Sequence, residues 1–257
     1  MIVDAHAHIG KLPILSPKVW TTPERLVETA DRLGIEKMCV SSLKALTYDF
    51  HEGNRDVLDA MKRYSGRILG YAVVNPRFGA EAVEEVRRRI STDRMVGVKL
   101  YGPTHLCPSS DESVFPVVEE ATRLRAPLLI HPYHPTDPSG GVEEIVKLAT
   151  ELPEAQIIMP HMGATLTEGG DWITALHKIR RHENVLADTC TSTLDAGMIE
   201  KAVEVLGPER VLFATDAGFL DPPAQLAKVL SAELSENERR MILGENAARI
   251  FRLRDNA

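Results

Sequence analysis

The sequence predicts a single-domain (β/α)8 barrel, an α/β fold of TIM-barrel type spanning residues 1–257. Three observations predict it. A chain of 257 residues has the length of one such barrel. Apolar strand-like runs alternate with segments of helical period eight times over. The runs are rich in Val, Ile and Leu and lack Asn-Gly hairpin turns, which favours an all-parallel sheet covered by helices. An open doubly wound sheet would instead carry a glycine-rich phosphate turn after an early strand, and no G-x-G-x-x-G occurs.

The first strand, 1–6, is the apolar run Met1 to Val3 leading into His6 and His8, whose period-2 spacing points both imidazoles to one side. Asp4, by the same alternation, is expected on the side of His6. Pro23 to Leu33 reads as the first helix, with Thr22 as its cap. Strands follow at 36–41, 67–74, 95–101, 127–131, 156–160, 184–188 and 210–215. Helical period fills Gly53 to Tyr64, Ala80 to Ile90, Val114 to Arg125, Val142 to Glu151, Trp172 to His182 and Ala196 to Leu206. After the last strand the pattern splits into a short helix, Pro223 to Leu230, and a closing segment, Glu236 to Phe251.

The loops that follow the strands carry aromatic and titratable residues: Trp20 in the first, Lys44, Tyr48 and His51 in the second, then Tyr101 to His105 and Pro132 to Pro135. The opposite turns are short and plain. Such an asymmetry makes a substrate mouth at the C-terminal ends of the strands.

Composition excludes several classes of partner. The formal charge is -7, and the 30 basic residues are spread among helices, so no footprint for nucleic acid or an anionic membrane is present. Arg87-Arg88-Arg89 sits in a Glu-rich helix and reads as a solvated face. No apolar stretch approaches the roughly 20 residues that span a bilayer, and Met1 begins a strand rather than a leader, which points to a cytoplasmic protein. Cys39, Cys107 and Cys190 are odd in number and have no close pairing, so they are expected as reduced thiols, with Cys39 a core residue and Cys107 and Cys190, after strand ends, candidates to line a pocket.

Four further runs end on a polar residue before a Gly/Pro-rich loop: Val96 to Lys99, Leu128 to His131, Ile157 to His161 and Val211 to Asp216. A His-x-His pair alone is a weak signal. Joined to strand ends five and eight around one pore, His6, His8, His131 and Asp216 converge on a point at the barrel mouth. Imidazole nitrogen and carboxylate oxygen suit a divalent metal with a position left open for water, whose pKa would fall toward about 7. Asp216 would both ligate the metal and accept the water's proton.

Val3-Asp4-Ala5-His6-Ala7-His8, Gly97-Val98-Lys99-Leu100, Leu129-Ile130-His131, Pro160-His161-Met162-Gly163, Phe213-Ala214-Thr215-Asp216 and the ending Gly244 to Phe251 together resemble the amidohydrolase superfamily. They are most similar to its branch that includes aminocarboxymuconate-semialdehyde decarboxylase and related metal-dependent hydrolases. The resemblance implies metal ligation by His6, His8, His131 and Asp216, with Zn2+ first and Mn2+ as the alternative. It implies that His161 polarises the substrate or orients water in a one-metal site, or ligates a second metal. Lys99 matches the lysine that is carboxylated in two-metal members; the reading preferred here is one metal, with Lys99 contacting a substrate carboxylate.

The expected function is metal-dependent hydrolysis of a small ester, lactone or amide, catalysed by Asp216 and His161. The alternative within enzymes is non-oxidative decarboxylation of an aromatic or unsaturated acid. The resemblance implies a basic residue in an early loop for the substrate carboxylate in decarboxylase-like members; here only Lys11, Lys18 and Lys44 are near the first two strand ends, a departure that weakens this alternative. The alternative outside enzymes is a non-catalytic metal-binding barrel. Substrate contacts are expected from Lys99, Tyr101 and His134, on an anionic small molecule, with a homodimer as the oligomeric option. Asp188 is expected either behind a ligand or bound to loop amides.

Overall fold

The computed structural model describes residues 1–11, 20–134, 141–163 and 171–253. One sheet contains β1 (Val3–Lys11), β2 (Trp20–Thr21), β3 (Lys37–Ser42), β4 (Ile68–Val73), β5 (Gly97–Tyr101), β6 (Leu128–His131), β7 (Ile157–Met159), β8 (Val185–Asp188) and β9 (Val211–Leu212). β1 and β3 to β9 pair in parallel and in sequence order. β2 is an antiparallel addition to the end of β1, with Gly10 opposite Thr21. β9 and β1 are joined by the Ala5 amide donating to the Phe213 carbonyl (3.0 Å) and the Asp216 amide donating to the His6 carbonyl (2.7 Å). The result is the expected (β/α)8 barrel.

Helices cover the strands at Pro23–Leu33, Phe50–Arg63, Ala80–Ser91, Val114–Arg123, Val142–Glu151, Trp172–Ile179 and Met198–Leu206. Thr22 caps the first by accepting from the Arg25 amide. Leu43–Thr47 and Gly102–His105 are short helices where loops were expected; one turn is too brief to show a period. The closing segment is interrupted by a π-helical stretch, Met241–Glu245. Among the described residues, no helix is long and apolar enough to cross a membrane.

Two apolar layers follow from strand alternation. Met38, Val40, Val98, Leu128, Ile130, Ile157, Val185 and Val211 point outward and pack under the helices. Cys39, Tyr71, Leu129, Ile158, Leu186 and Leu212 fill the barrel interior, and Ala247, Ile250 and Phe251 plug its lower end. Tyr71 crosses this interior and donates to the Ala5 carbonyl at 2.9 Å.

β1 departs from simple alternation. Val3 and Ala5 pack with the interior layer, whereas Ala7 and Ile9 pack with the outer one. The change of phase is a bulge: Asp4 pairs with Met38 but Ala7 pairs with Val40, so β1 spends one extra residue against β3. His6 and His8 therefore share the inner face, as their spacing predicts. Asp4 does not share it, and this corrects the alternation reading: Asp4 accepts from the amides of His6 (3.1 Å) and Thr215 (2.9 Å) and ties β1 to the segment after β9. Buried there, its carboxyl is pushed up to about 7, chiefly by desolvation.

Gly97 opens β5 where a Cβ would stand 2.7 Å from the Pro127 carbonyl oxygen and 2.9 Å from the Tyr71 ring. Backbone on one side and a core ring on the other leave no cheap relaxation. Gly97→Ala is expected to lower the stability by about 1–3 kcal/mol in a urea unfolding curve; a midpoint equal to the wild type's would contradict this packing.

On the outer shell Glu120 accepts from Arg123 (2.7 Å) and Arg87 (2.8 Å), and Arg123 first, with Arg87, holds its carboxyl down to about 2. A depressed carboxylate stabilises above its unfolded pKa of about 4.3, and that contribution is lost as pH falls toward the folded value. Glu120→Gln is expected to unfold more readily than wild type at pH 7, with the gap closing between about pH 4.3 and 2. A gap that stays constant through that window would refute the assignment.

Candidate metal centre at the barrel mouth

Because the inner face of each strand alternates, the last inward residue of several strands meets at one level. β1 brings His6 and His8, β5 Lys99 and Tyr101, β6 His131, the turn after β7 His161, and the segment after β9 Asp216. With Leu46 and Phe219 they line a cavity of about 20 Å3, room for one atom the size of a water molecule. All seven polar or aromatic strand-end residues except Tyr101 are buried.

Two of these positions hold backbone that L-residues seldom adopt. His161 has φ 59° and Asp216 φ 51°, both left-handed. Each is fixed by its amide: His161 donates to Asp188 Oδ1 at 2.8 Å, and Asp216 to the His6 carbonyl. The strain aims both side chains at the cavity.

The hydrogen-bond partners set the tautomers. His6 Nδ1 donates to Asp188 Oδ2 (3.0 Å) and His161 Nδ1 donates to the Cys190 carbonyl (2.8 Å), leaving each lone pair on Nε2. His8 Nδ1 lies 2.8 Å from Ser41 Oγ. The Nε2 atoms of His6 and His8 then approach to 3.1 Å, with Asp216 Oδ1 3.0 Å from His8 Nε2 and 3.7 Å from His6 Nε2. Lys99 Nζ stands 3.1 Å from His6 Nε2. Two nitrogen lone pairs and a carboxylate oxygen facing one point form a cation's donor set, and these three ligand atoms fall within 4.8 Å of one another.

Electrostatics agree. Burial pushes His6 and His131 well below the usual histidine value, helped at His6 by the Lys99 charge and at His131 by His161. His8 is lowered by burial despite Asp216. Neutral imidazoles are the form that binds metal. Burial also lowers the Lys99 ammonium to about 8, against the pull of Asp216 and Asp188.

His131 shares the cavity but stands off from the group of three. Its ring meets Tyr101 edge-on at 5.0 Å and His161 at 5.1 Å, and its buried Nδ1 has no hydrogen-bond partner among the described residues. His134 is half-buried and does not line the cavity. Lys44 is paired with Glu52 and Asp56, Lys18 lies outside the described residues, and so does the Trp20 side chain. His105, expected as a loop residue, is buried, and His51 pairs with Glu81 and Glu85 on the outer shell.

Ser41, Leu46 and Phe219 were not anticipated, whereas Cys190, a candidate pocket residue, lies behind His6 and His161. Ser41 and Cys190 bear no motif of their own; only their nearness to strand ends marks them. Asp188 takes both expected parts at once, one oxygen on His6 and the other on a loop amide.

Solved structures of similar fold span the whole barrel. The 5-carboxyvanillate decarboxylase of Sphingomonas paucimobilis is 19% identical with a TM-score of 0.78, covering 98% of this chain and 99% of that one. The 2,6-dihydroxybenzoate decarboxylase of Rhizobium is 18% identical with a TM-score of 0.76, covering 98% of each chain. A dihydroxybenzoic acid decarboxylase of Polaromonas sp. JS666, with bound manganese and the inhibitor 2-nitroresorcinol, is 18% identical with a TM-score of 0.75, covering 98% of this chain and 97% of that one. At these identities the likeness is one of fold. A search of curated protein sequences finds no match. The sequence model of the amidohydrolase family matches residues 3–253. The chain belongs to the amidohydrolase family.

Proposed function

We propose that this protein is a metal-dependent, non-oxidative decarboxylase of an aromatic or unsaturated carboxylic acid. The observation that carries the proposal is the Lys99 ammonium, buried among neutral imidazoles at the cavity floor, 3.1 Å from His6 Nε2. A buried cation without a carboxylate in contact is costly, and an anionic substrate relieves that cost. The named activities of the fold neighbours favour the same chemistry over the hydrolysis that the sequence put first.

A divalent ion fits the residues present: His6, His8 and Asp216 would hold it, and His131, with an unpartnered buried Nδ1, is the ligand that completes the set by a ring adjustment. When bound, the ion supplies a Lewis acid for a substrate oxygen. Manganese in neighbouring structures supports Mn2+, and the imidazole–carboxylate set equally suits Zn2+.

The chain's own groups account for the remaining steps. Lys99 seats the leaving carboxylate. The C–C bond breaks, CO2 leaves with no net electron transfer, and the ring or vinyl carbon takes one proton. Asp216 and His161 face the cavity and can carry that proton. Tyr101, Leu46 and Phe219 border the cavity of about 20 Å3, which has room for one water, so these side chains must draw apart to admit a planar acid.

Lys99→Met keeps the length and removes the charge. It is expected to lower kcat/KM for a carboxylate substrate about 30-fold, the equivalent of a charged hydrogen bond of about 2 kcal/mol. An unchanged kcat/KM would remove Lys99 from the substrate site.

The reaction itself is tested by incubating Mn2+-loaded protein in D2O with hydroxybenzoates, an unsaturated dicarboxylate, lactones and aryl esters. The proposal expects CO2 with one deuterium at the former carboxyl carbon. Ester or lactone cleavage without CO2 would replace it by the hydrolase reading, and metal uptake with no turnover by the non-catalytic one.

A further inference from the structure

On the Nδ1 edges of His6 and His161, behind the cavity, lies a second cluster. Cys190 Sγ is 3.4 Å from Nδ1 of both histidines and 3.1 Å from Asp188 Oδ1, while His6 Nδ1 is 3.0 Å from Asp188 Oδ2. All four residues are buried, and one ligand atom from each lies within 4.8 Å of the others. Tetrahedral coordination with sulfur at about 2.3 Å and nitrogen or oxygen at about 2.0–2.1 Å sets donors about 3.3–3.6 Å apart. These four separations, two through one Asp188 oxygen or the other, lie within about half an ångström of that spacing, and the remaining ones within 4.8 Å close to it by small side-chain movements.

We propose that His6, His161, Asp188 and Cys190 form an inhibitory site for a thiophilic dication, Zn2+ or Cd2+, and that filling it empties the His6–His8–Asp216 set. The exclusion comes from imidazole chemistry. A neutral ring has one lone pair, and a metal on Nδ1 leaves the proton on Nε2. For His6 and His161 that turns an N–H into the cavity where a lone pair stood.

The proton balance is simple. Cys190 forms the metal–sulfur bond and releases one proton to solvent. The protons of His6 and His161 move from Nδ1 to Nε2 and none is lost, and Asp188 exchanges its bonds from His6 and Cys190 for the metal. Sulfur supplies the selectivity, because Mn2+ and Mg2+ prefer harder donors whereas Zn2+ and Cd2+ accept thiolate. The same chain would thus hold Mn2+ in front and be silenced by Zn2+ behind. The inference rests on the proposed function only in taking the front set as the working metal site.

The test titrates Mn2+-loaded protein with Cd2+ while following the ultraviolet cadmium–thiolate band and the paramagnetic resonance of released Mn2+. The band is expected to grow as one Mn2+ leaves per Cd2+ bound. In Cys190→Ala, which keeps the carbonyl that His161 uses, the band is expected to vanish and Cd2+ affinity to fall at least tenfold. Mn2+ release without the band, a band that survives in Cys190→Ala, or a band with Mn2+ retained would each overturn the proposal. If the protein takes up no Mn2+, the front-set reading fails by itself, and Cd2+ added to metal-free protein still decides the rear cluster by the band. Should Cys190→Ala not fold, the cadmium-113 resonance of the wild type separates a sulfur-containing site from one of nitrogen and oxygen alone.

Discussion

Asp216→Asn is expected to lower kcat about 10²- to 10⁴-fold, the range that a positioned acid–base group contributes, with little change in thermal midpoint. The contrast has a structural reason. Asp216 sits at φ 51°, a left-handed conformation that asparagine tolerates about as well as aspartate, and its amide still reaches the His6 carbonyl. Only the charge 3.0 Å from His8 Nε2 is lost. With it go the anionic member of the metal set and a group able to carry the proton. Steady-state kinetics paired with a melting curve check this, and a kcat within threefold of wild type would show that Asp216 neither ligates nor transfers a proton.

The second large effect is expected at a residue that touches no substrate. Asp188 accepts from His6 Nδ1 through one oxygen and from the His161 amide through the other, so one side chain sets a tautomer and a strained turn. In Asp188→Asn the oxygen can keep the His161 amide, but the amide nitrogen then faces His6 Nδ1. Two donors cannot share a bond, and the His6 proton is driven to Nε2, toward the metal. Metal affinity is expected to fall about 10- to 100-fold, as for other outer partners of ligating histidines. Competition against a fluorescent chelator gives the affinity, and nitrogen-15 chemical shifts of His6 give the tautomer. Unchanged affinity with Nδ1 still protonated would show that His6 is oriented by something other than Asp188.

The barrel was legible because its signals are repeated. Eight apolar runs separated by helical period admit few folds, and each run lies within a few residues of an observed strand. His6, His8, Lys99, His131, His161 and Asp216 were legible for the same reason: the last inward residue of a parallel strand meets the others at one level. Asp4 was misread because a bulge changes the phase of β1 between Asp4 and Ala7, and a bulge leaves no mark in a pattern of alternating residues. Ser41 escaped, and Cys190 was placed no more closely than near a pocket, because a small polar residue behind an imidazole is decided by packing across strands far apart in sequence; 33 positions separate Ser41 from His8, and 184 separate Cys190 from His6. The choice between decarboxylation and hydrolysis was not legible at all, since both reactions use the same donor set and differ in what Lys99 meets.

The central claim is that the buried His6–His8–Asp216 group is a one-metal catalytic centre with an unmodified Lys99. Metal content per chain by inductively coupled plasma mass spectrometry, on protein purified without chelators and weighed intact, tests it most directly. The account predicts one equivalent of divalent metal, reduced by His6→Ala or Asp216→Ala, on a chain of unmodified mass. Two equivalents with a mass increase of one carboxyl group at Lys99 would contradict the one-metal centre, and no metal at all would contradict the mechanism.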